Sequence, residues 1–152
     1  MLGPSLLVAP VLSENGDVEY YLPPGRWTNY LTDEIADGGA WRREQPDFLS
    51  IPLWVKENTV IAVGANAARP DYDYADGVTL HLFSLRDGAD LWVEIPDTQG
   101  NIAATFRCVR LGRNVRITRD GAAGTWGVQL RGPGKSPALV SKSNQIEFEL
   151  EA

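Results

Sequence analysis

The sequence contains very little cysteine and histidine, with one of each among 152 residues. The single cysteine, Cys108, cannot form an internal disulfide, which fits a reducing compartment. Together with His81 it provides too few ligands for a zinc site built from cysteine and histidine. A framework of internal disulfides and a zinc centre of this type are therefore excluded.

Long apolar runs and clusters of basic residues are missing as well. No apolar stretch is long enough to span a bilayer. The apolar start, residues 1–12, has no basic region and is broken by Pro4 and Pro10, so it is a poor signal peptide. The formal net charge is −6 and the 14 Lys and Arg residues are scattered. These features argue against nucleic-acid and membrane partners and favour a cytoplasmic location.

Helical periodicity is the third absence. Apolar residues nowhere recur at helical spacing over three turns, and no βαβ alternation is visible, which excludes a Rossmann fold or a complete α/β barrel. Instead, 15 Gly and 10 Pro residues separate short apolar runs, a spacing typical of an all-β chain. We predict the main strands at residues 6–11, 18–22, 26–30, 41–44, 51–55, 60–63, 78–84, 90–95, 102–110, 114–118, 125–130 and 145–150.

Residues 64–77 show no periodic pattern of apolar residues, and we interpret this segment as a linker. The strands on either side predict two small antiparallel β-sandwiches in tandem. Their predicted bounds are residues 1–66 and 67–152. In the first sandwich, residues 51–55 and 60–63 are expected to form the closing pair of strands.

No group of residues indicates a catalytic, cofactor-binding or metal site. Hydrolysis of a glycosidic bond needs two carboxylates beside that bond, but most candidates lie in predicted turns, where aspartate bonds to nearby backbone N–H groups. These candidates are Asp33, Glu34, Asp37, Asp47, Asp71, Asp73 and Asp76. The last three lack the glycine and glutamate of a calcium loop. His81 has no paired nucleophile motif, and Cys108 lies in mid-strand and is expected to be structural.

The five tryptophans are the remaining candidates for ligand contact, because an exposed indole ring can stack on a sugar. Trp92 and Trp126 lie inside predicted strands and are expected in the core. Trp27 and Trp41 lie beside turns and are the better candidates for exposure and for sugar stacking. Packing in the core is the alternative for both, since tryptophan buries a large area.

Several segments resemble the glycoside hydrolases of family 31. Residues 3–11, GPSLLVAPV, resemble the family's G-D-x-L-L-V-A-P-V segment, which follows its catalytic barrel, with Pro4 in place of the usual aspartate. Residues 16–28 resemble the next stretch, V-x-x-Y-L-P-x-G-x-W. Four more segments fit: residues 47–55 and 58–64 and, most like the bacterial α-xylosidase branch, residues 69–72 and 82–88.

The resemblance reaches to about Leu130 and implies a retaining enzyme that releases α-linked xylose or glucose from non-reducing ends. The family's aspartate nucleophile and acid/base lie on its barrel, and the motifs around them do not occur here. The resemblance therefore implies a non-catalytic scaffold, the proximal and distal C-terminal β-domains, which needs no cofactor and meets carbohydrate through the parent enzyme. It also implies that the proximal sandwich lacks its first strand or strands, which would favour self-association.

Two other functions stay open on the residues alone. A free-standing carbohydrate-binding module would line a groove with two coplanar exposed tryptophans. A dimerisation or interaction domain would use an uncovered surface and have no role with sugars. A large apolar patch near residues 6–11 and 51–55 would instead favour the scaffold.

Overall fold

The computed structural model describes residues 1–121, 124–134 and 138–151. In this part of the chain the regular structure consists of fourteen strands and contains no helix. The all-β prediction is confirmed, and the strands form sheets that pack face to face in two units.

The first unit contains two sheets. Its strands are β1 (Leu6–Val8), β2 (Val18–Leu22), β3 (Arg26–Asn29), β4 (Ile35–Asp37), β5 (Ala40–Glu44) and β6 (Leu53–Lys56). One sheet has the order β1-β6-β3-β4, and β2 pairs with β5 in a two-stranded sheet. All of these pairings are antiparallel.

The core of the first unit lies between these two sheets. Strand β2 alternates as its sequence predicts, with Val18, Tyr20 and Leu22 buried and the residues between them exposed. Trp27 and Trp54 reach this core from the larger sheet. The Trp54 indole N–H donates to Tyr20 Oη at 2.7 Å, which satisfies a buried donor that would otherwise be costly.

The second unit also contains two sheets. Its strands are β7 (Thr59–Val63), β8 (Thr79–Phe83), β9 (Asp90–Pro96), β10 (Ile102–Leu111), β11 (Asn114–Gly121), β12 (Trp126–Arg131), β13 (Leu139–Ser141) and β14 (Gln145–Glu149). The sheet orders are β14-β11-β10-β9 and β13-β12-β8-β7. Both sheets contribute to one core, to which Leu80, Phe106, Ile117 and Trp126 belong. The pairing of β8 with β12 is parallel, which departs from the purely antiparallel sandwich that we expected.

The strand pairing at the junction of the units also differs from the prediction. Residues 60–63 were expected to close the first sandwich against residues 51–55, and this is wrong because β7 pairs with β8 over its whole length. Asn58, with a φ of 57°, starts this pairing, since its N–H donates to the Ser84 carbonyl at 3.0 Å. β7 thus precedes the predicted division at residues 66 and 67 but pairs with a strand that follows it. The division stays a prediction.

Candidate functional site

The two tryptophans that are candidates for sugar stacking lie in very different surroundings. Trp27 in β3 is only 1% exposed, and its indole N–H donates to the Pro23 carbonyl at 2.7 Å. Trp27 thus follows the alternative of packing in the core, and its ring offers no free face to a sugar. Trp41 in β5 is 69% exposed. Its ring meets that of Tyr21 at an interplanar angle of 60°, so these two neighbouring rings do not form a flat platform. Sugar stacking by Trp41 stays a prediction.

The two tryptophans expected in the core, Trp92 and Trp126, also differ in their burial. Trp126 is buried as predicted, whereas Trp92 is 63% exposed and the prediction for it is wrong. In β9 the side chains of Leu91, Val93 and Ile95 contact the core, and because neighbouring residues of a strand point to opposite faces, Trp92 points outward. The alternation of β9 was visible in the sequence and could have identified this exposed ring.

The most developed polar cluster lies where the two units meet, around Arg131 at the end of β12. Its Nε donates to Asp33 Oδ1 at 2.7 Å and its Nη2 donates to the Tyr30 carbonyl at 2.7 Å. Its Nη1 lies 3.0 Å from His81 Nδ1. The guanidinium also lies over the Tyr30 ring, 4.9 Å from the centroid. One side chain of the second unit is therefore bonded to two residues of the first.

The local structure of the first unit prepares this contact. The chain turns after β3, where Asn29 Oδ1 accepts the N–H groups of Leu31 and Thr32. Asp33 then adopts a φ of 62°, a conformation that aspartate tolerates better than most residues. Its carboxylate is thereby aimed at Arg131, and both side chains are only 11% exposed.

The charges of this cluster are balanced. Burial and the positive charge of Arg131 lower the pKa of His81, while Asp33 opposes that effect. Because arginine only donates hydrogen bonds, His81 Nδ1 must accept the bond from Arg131, and the ring is neutral with its proton on Nε2. Nδ1 is therefore occupied by the hydrogen bond from Arg131. The cluster fastens the two units together and has the features of a structural contact.

A second ion pair crosses the same junction. Arg86 Nη2 lies 3.0 Å from Glu57 Oε1, and this oxygen also accepts the Arg26 N–H at 3.0 Å. These hydrogen bonds lower the pKa of Glu57, with that from Arg86 the larger cause. Glu57 thus joins the start of β3 to the segment that follows β8.

Other candidate carboxylates perform the turn chemistry expected of them. Asp47 Oδ1 accepts the Leu49 N–H, and Asp73 Oδ1 accepts the Ala75 N–H, each at 3.1 Å. Within residues 1–121, 124–134 and 138–151, no three His, Cys, Asp or Glu residues are grouped to hold a metal ion. Cys108 is buried, and burial raises the pKa of its thiol to about 12, as suits a structural cysteine.

Comparison with known proteins assigns the chain to a family. Residues 1–61 match the family described as "Glycosyl hydrolase family 31 C-terminal domain", and residues 73–150 match "Alpha-xylosidase YicI, C-terminal domain". The α-xylosidase XylQ of Lactiplantibacillus pentosus is 31% identical over 127 residues, which is 82% of this chain and 16% of XylQ. The chain belongs to glycoside hydrolase family 31. The resemblance seen in the sequence is confirmed, including the α-xylosidase branch.

Solved structures of family-31 enzymes have the same fold. The α-xylosidase of Xanthomonas citri superposes with a TM-score of 0.71 at 18% identity, over 99% of this chain and 19% of that protein. The dextranase of Flavobacterium johnsoniae also gives 0.71 at 18% identity, over 89% of this chain and 19% of the dextranase. This chain therefore spans less than a fifth of each of these relatives.

One end of this family-31 domain exposes large apolar side chains. Strands β1 and β6 are antiparallel, and the Ala9 N–H still donates to the Pro52 carbonyl beyond them, so the segments before β6 and after β1 lie at the same end. There Leu12 is 89%, Phe48 101% and Leu49 91% exposed. We call these three residues the apolar end. An apolar patch was expected near residues 6–11 and 51–55. Within those segments Leu7 and Val55 are buried, and the apolar end lies beside them.

The smaller sheet of the first unit is the other open feature. It consists of β2 and β5 alone, and among the described residues no third strand pairs with either of them. Unpaired strand edges favour pairing with another strand. Separately, none of the described residues forms a helix long and apolar enough to cross a membrane.

Proposed function

We propose that this chain is a non-catalytic scaffold of a retaining family-31 α-glycosidase, one that releases α-linked xylose or glucose from non-reducing ends. The observation that carries the proposal is the match of residues 1–61 and 73–150 to two C-terminal domains of this family. In this role the chain packs against the catalytic domain and meets carbohydrate only through it. A cytoplasmic location belongs to the same proposal and is supported by the single, buried cysteine.

The apolar end is the surface that this role would cover. Phe48 and Leu49 are almost completely exposed, and burying a side chain of this kind contributes about 1.5–3 kcal/mol. The cluster around Arg131 and the pair formed by Glu57 and Arg86 hold the two units together, which a scaffold requires.

The first test is enzymatic. Purified chain is expected to hydrolyse neither an aryl α-xyloside nor an aryl α-glucoside, because the family's carboxylate-bearing motifs are not in its sequence. Release of the chromophore above the rate of buffer alone, by protein free of contaminating enzyme, would contradict the proposal.

The second test exchanges domains. We expect L. pentosus XylQ to lose activity when its matching C-terminal region is removed and to regain it when this chain is joined in its place. The exchanged enzyme that carries both F48D and L49D should not recover activity. The exchanged enzyme with I102D should recover it, because Ile102 is 60% exposed and lies on the second unit. Full activity of the truncated XylQ, or equal activity of both variants, would refute a scaffold role for the apolar end.

The alternatives have less support. A free-standing module would line a groove with two coplanar exposed tryptophans, but of the two candidates Trp27 is buried and the Trp41 ring is inclined by 60° to that of its neighbour Tyr21. A dimerisation domain is favoured by the open edges of the sheet formed by β2 and β5. We treat self-association as a property of the free chain that follows from surfaces left uncovered.

A further inference from the structure

The outer face of the sheet β14-β11-β10-β9 carries a shallow depression of about 440 Å³ on the second unit. Its volume lies within the range found for small-molecule sites, about 300–1,000 Å³. The side chains that line it include Arg107, Leu111, Asn114, Arg116, Thr118 and Glu147. They come from three adjacent strands, β10, β11 and β14, so that the sheet fixes their spacing.

The charges in this depression are paired. Arg107 donates from Nε and Nη2 to the two carboxylate oxygens of Asp90 at 2.9 and 2.7 Å. Arg116 donates in the same way to Glu147, at 3.4 and 3.2 Å. Each guanidinium has five N–H donors, so donors remain for a ligand, while the two pairs carry no net charge. The pairs also hold these long side chains in place, which reduces the ordering cost of binding.

An exposed aromatic ring borders the depression. Trp92 is the β-sheet partner of Arg107, whose guanidinium lies 5.2 Å from the centre of the indole ring. The ring is 63% exposed. Leu111, at the other end of the row of outward side chains on β10, is 67% exposed and adds an apolar contact.

From this arrangement we propose that the outer face of this sheet binds a neutral oligosaccharide, with Trp92 stacking on a sugar ring. A sugar has apolar C–H faces and many hydroxyl groups, which match an aromatic ring beside fixed donors and acceptors. The depression favours a neutral ligand over a phosphate or other anion, because each arginine is neutralised by its carboxylate. This face is distinct from the apolar end, and the inference does not depend on the scaffold role.

The test uses the full chain and a set of neutral probes: xyloglucan heptasaccharide, isomaltotriose and cellohexaose. In 15N-labelled protein, at least one probe is expected to shift the indole N–H signal of Trp92 saturably and to leave that of the buried Trp126 unchanged. W92A should weaken this binding about tenfold, because loss of the stacked aromatic ring removes a contact that contributes about that much to affinity. Calorimetry measures the change. R116M should weaken it as well, through loss of hydrogen bonds to hydroxyl groups.

The control variants show whether the probe binds at this face or at another surface of the chain. R43A removes the exposed arginine–carboxylate pair that Arg43 forms with Asp17 on the first unit and should leave the affinity unchanged. The proposal is overturned if no probe binds, if W92A binds as tightly as the unaltered chain, or if W41A alone abolishes binding. It is also overturned if W92A changes only the sedimentation of the protein, which would make this face an interface between copies.

Discussion

A single arginine, Arg131, makes polar contacts with residues of both units. Arg131 makes hydrogen bonds to Asp33, Tyr30 and His81 while its guanidinium lies over aromatic rings. Only a planar fork with several fixed donors can make these contacts together, because lysine presents a single ammonium group on a flexible stem. At this position arginine and lysine are therefore not equivalent.

We expect R131M to lower the free energy of unfolding by about 3 kcal/mol, because it leaves the carboxylate of Asp33 buried without its partner. Urea unfolding at pH 7 measures this loss. R131K should lose less, and the double variant R131M/D33N should be more stable than R131M alone, because the unpaired charge has been removed. A change of less than about 0.5 kcal/mol in R131M, the range of ordinary surface substitutions, would show that the cluster contributes little.

At the residue scale, burial predicted from a position inside a strand held for some residues and failed for Trp92, whereas contacts with partners outside the strand could not be predicted. Trp126 and Cys108 are buried in strand interiors as expected. Trp27 follows a turn, yet it is buried, because the Pro23 carbonyl accepts its indole N–H and its ring packs in the core of the first unit. No local pattern indicated that Arg131 would meet Asp33, since 98 residues separate them.

At the scale of elements, the segment between β4 and β5 shows how little room some connections have. Gly38 carries the chain from one sheet of the first unit to the other, and its N–H donates to the Gly25 carbonyl at 2.7 Å. A Cβ atom at this position would lie 1.7 Å from the Pro23 carbonyl oxygen and 3.0 Å from Trp27 Nε1. The glycine is therefore required by a close approach of the backbone.

We expect G38A to destabilise the first unit by about 3 kcal/mol, at the upper end of the cost of overpacking, because the Pro23 carbonyl must move and release the Trp27 indole. Thermal unfolding and the indole N–H signal of Trp27 measure this. The matched control is G88A, where φ is 75° and nothing lies within 4 Å of the added Cβ. Its cost should be only that of the left-handed backbone, about 1–2 kcal/mol. Equal losses in the two variants would contradict a steric cause.

Most strands could be predicted to within a few residues, because alternation such as that of β2 and β14 is a local signal. The partners of the strands could not. The apolar residues of β7 fit either unit, and its pairing with β8 begins beside the hydrogen bond from Asn58 to the Ser84 carbonyl. The strand β13 has only three residues, too few for a periodic signal, and the parallel pairing of β8 with β12 joins segments far apart in the sequence.

At the scale of the whole molecule, the first unit has two exposed surfaces, the apolar end and the sheet formed by β2 and β5. The three residues of the apolar end are each at least 89% exposed, and within the part of the chain that the structure describes, no third strand pairs with β2 or β5. Water-exposed apolar groups at one end of a domain favour association with a second surface. In an assembled enzyme the catalytic domain would cover that end, whereas in the free chain a second copy is the available partner.

We therefore expect the free chain to self-associate in a concentration-dependent manner, and F48D with L49D to shift it toward the monomer. Charged side chains at this end would have to be desolvated on contact, which removes the favourable burial. Sedimentation velocity over a range of concentrations measures the effect, and I102D, which places a charge on the second unit, should associate like the unaltered chain. If F48D/L49D associates as strongly as the unaltered chain, the contact must lie elsewhere, and the open edges of β2 and β5 become the surface to alter. A monomer at every concentration would mean that neither surface drives association.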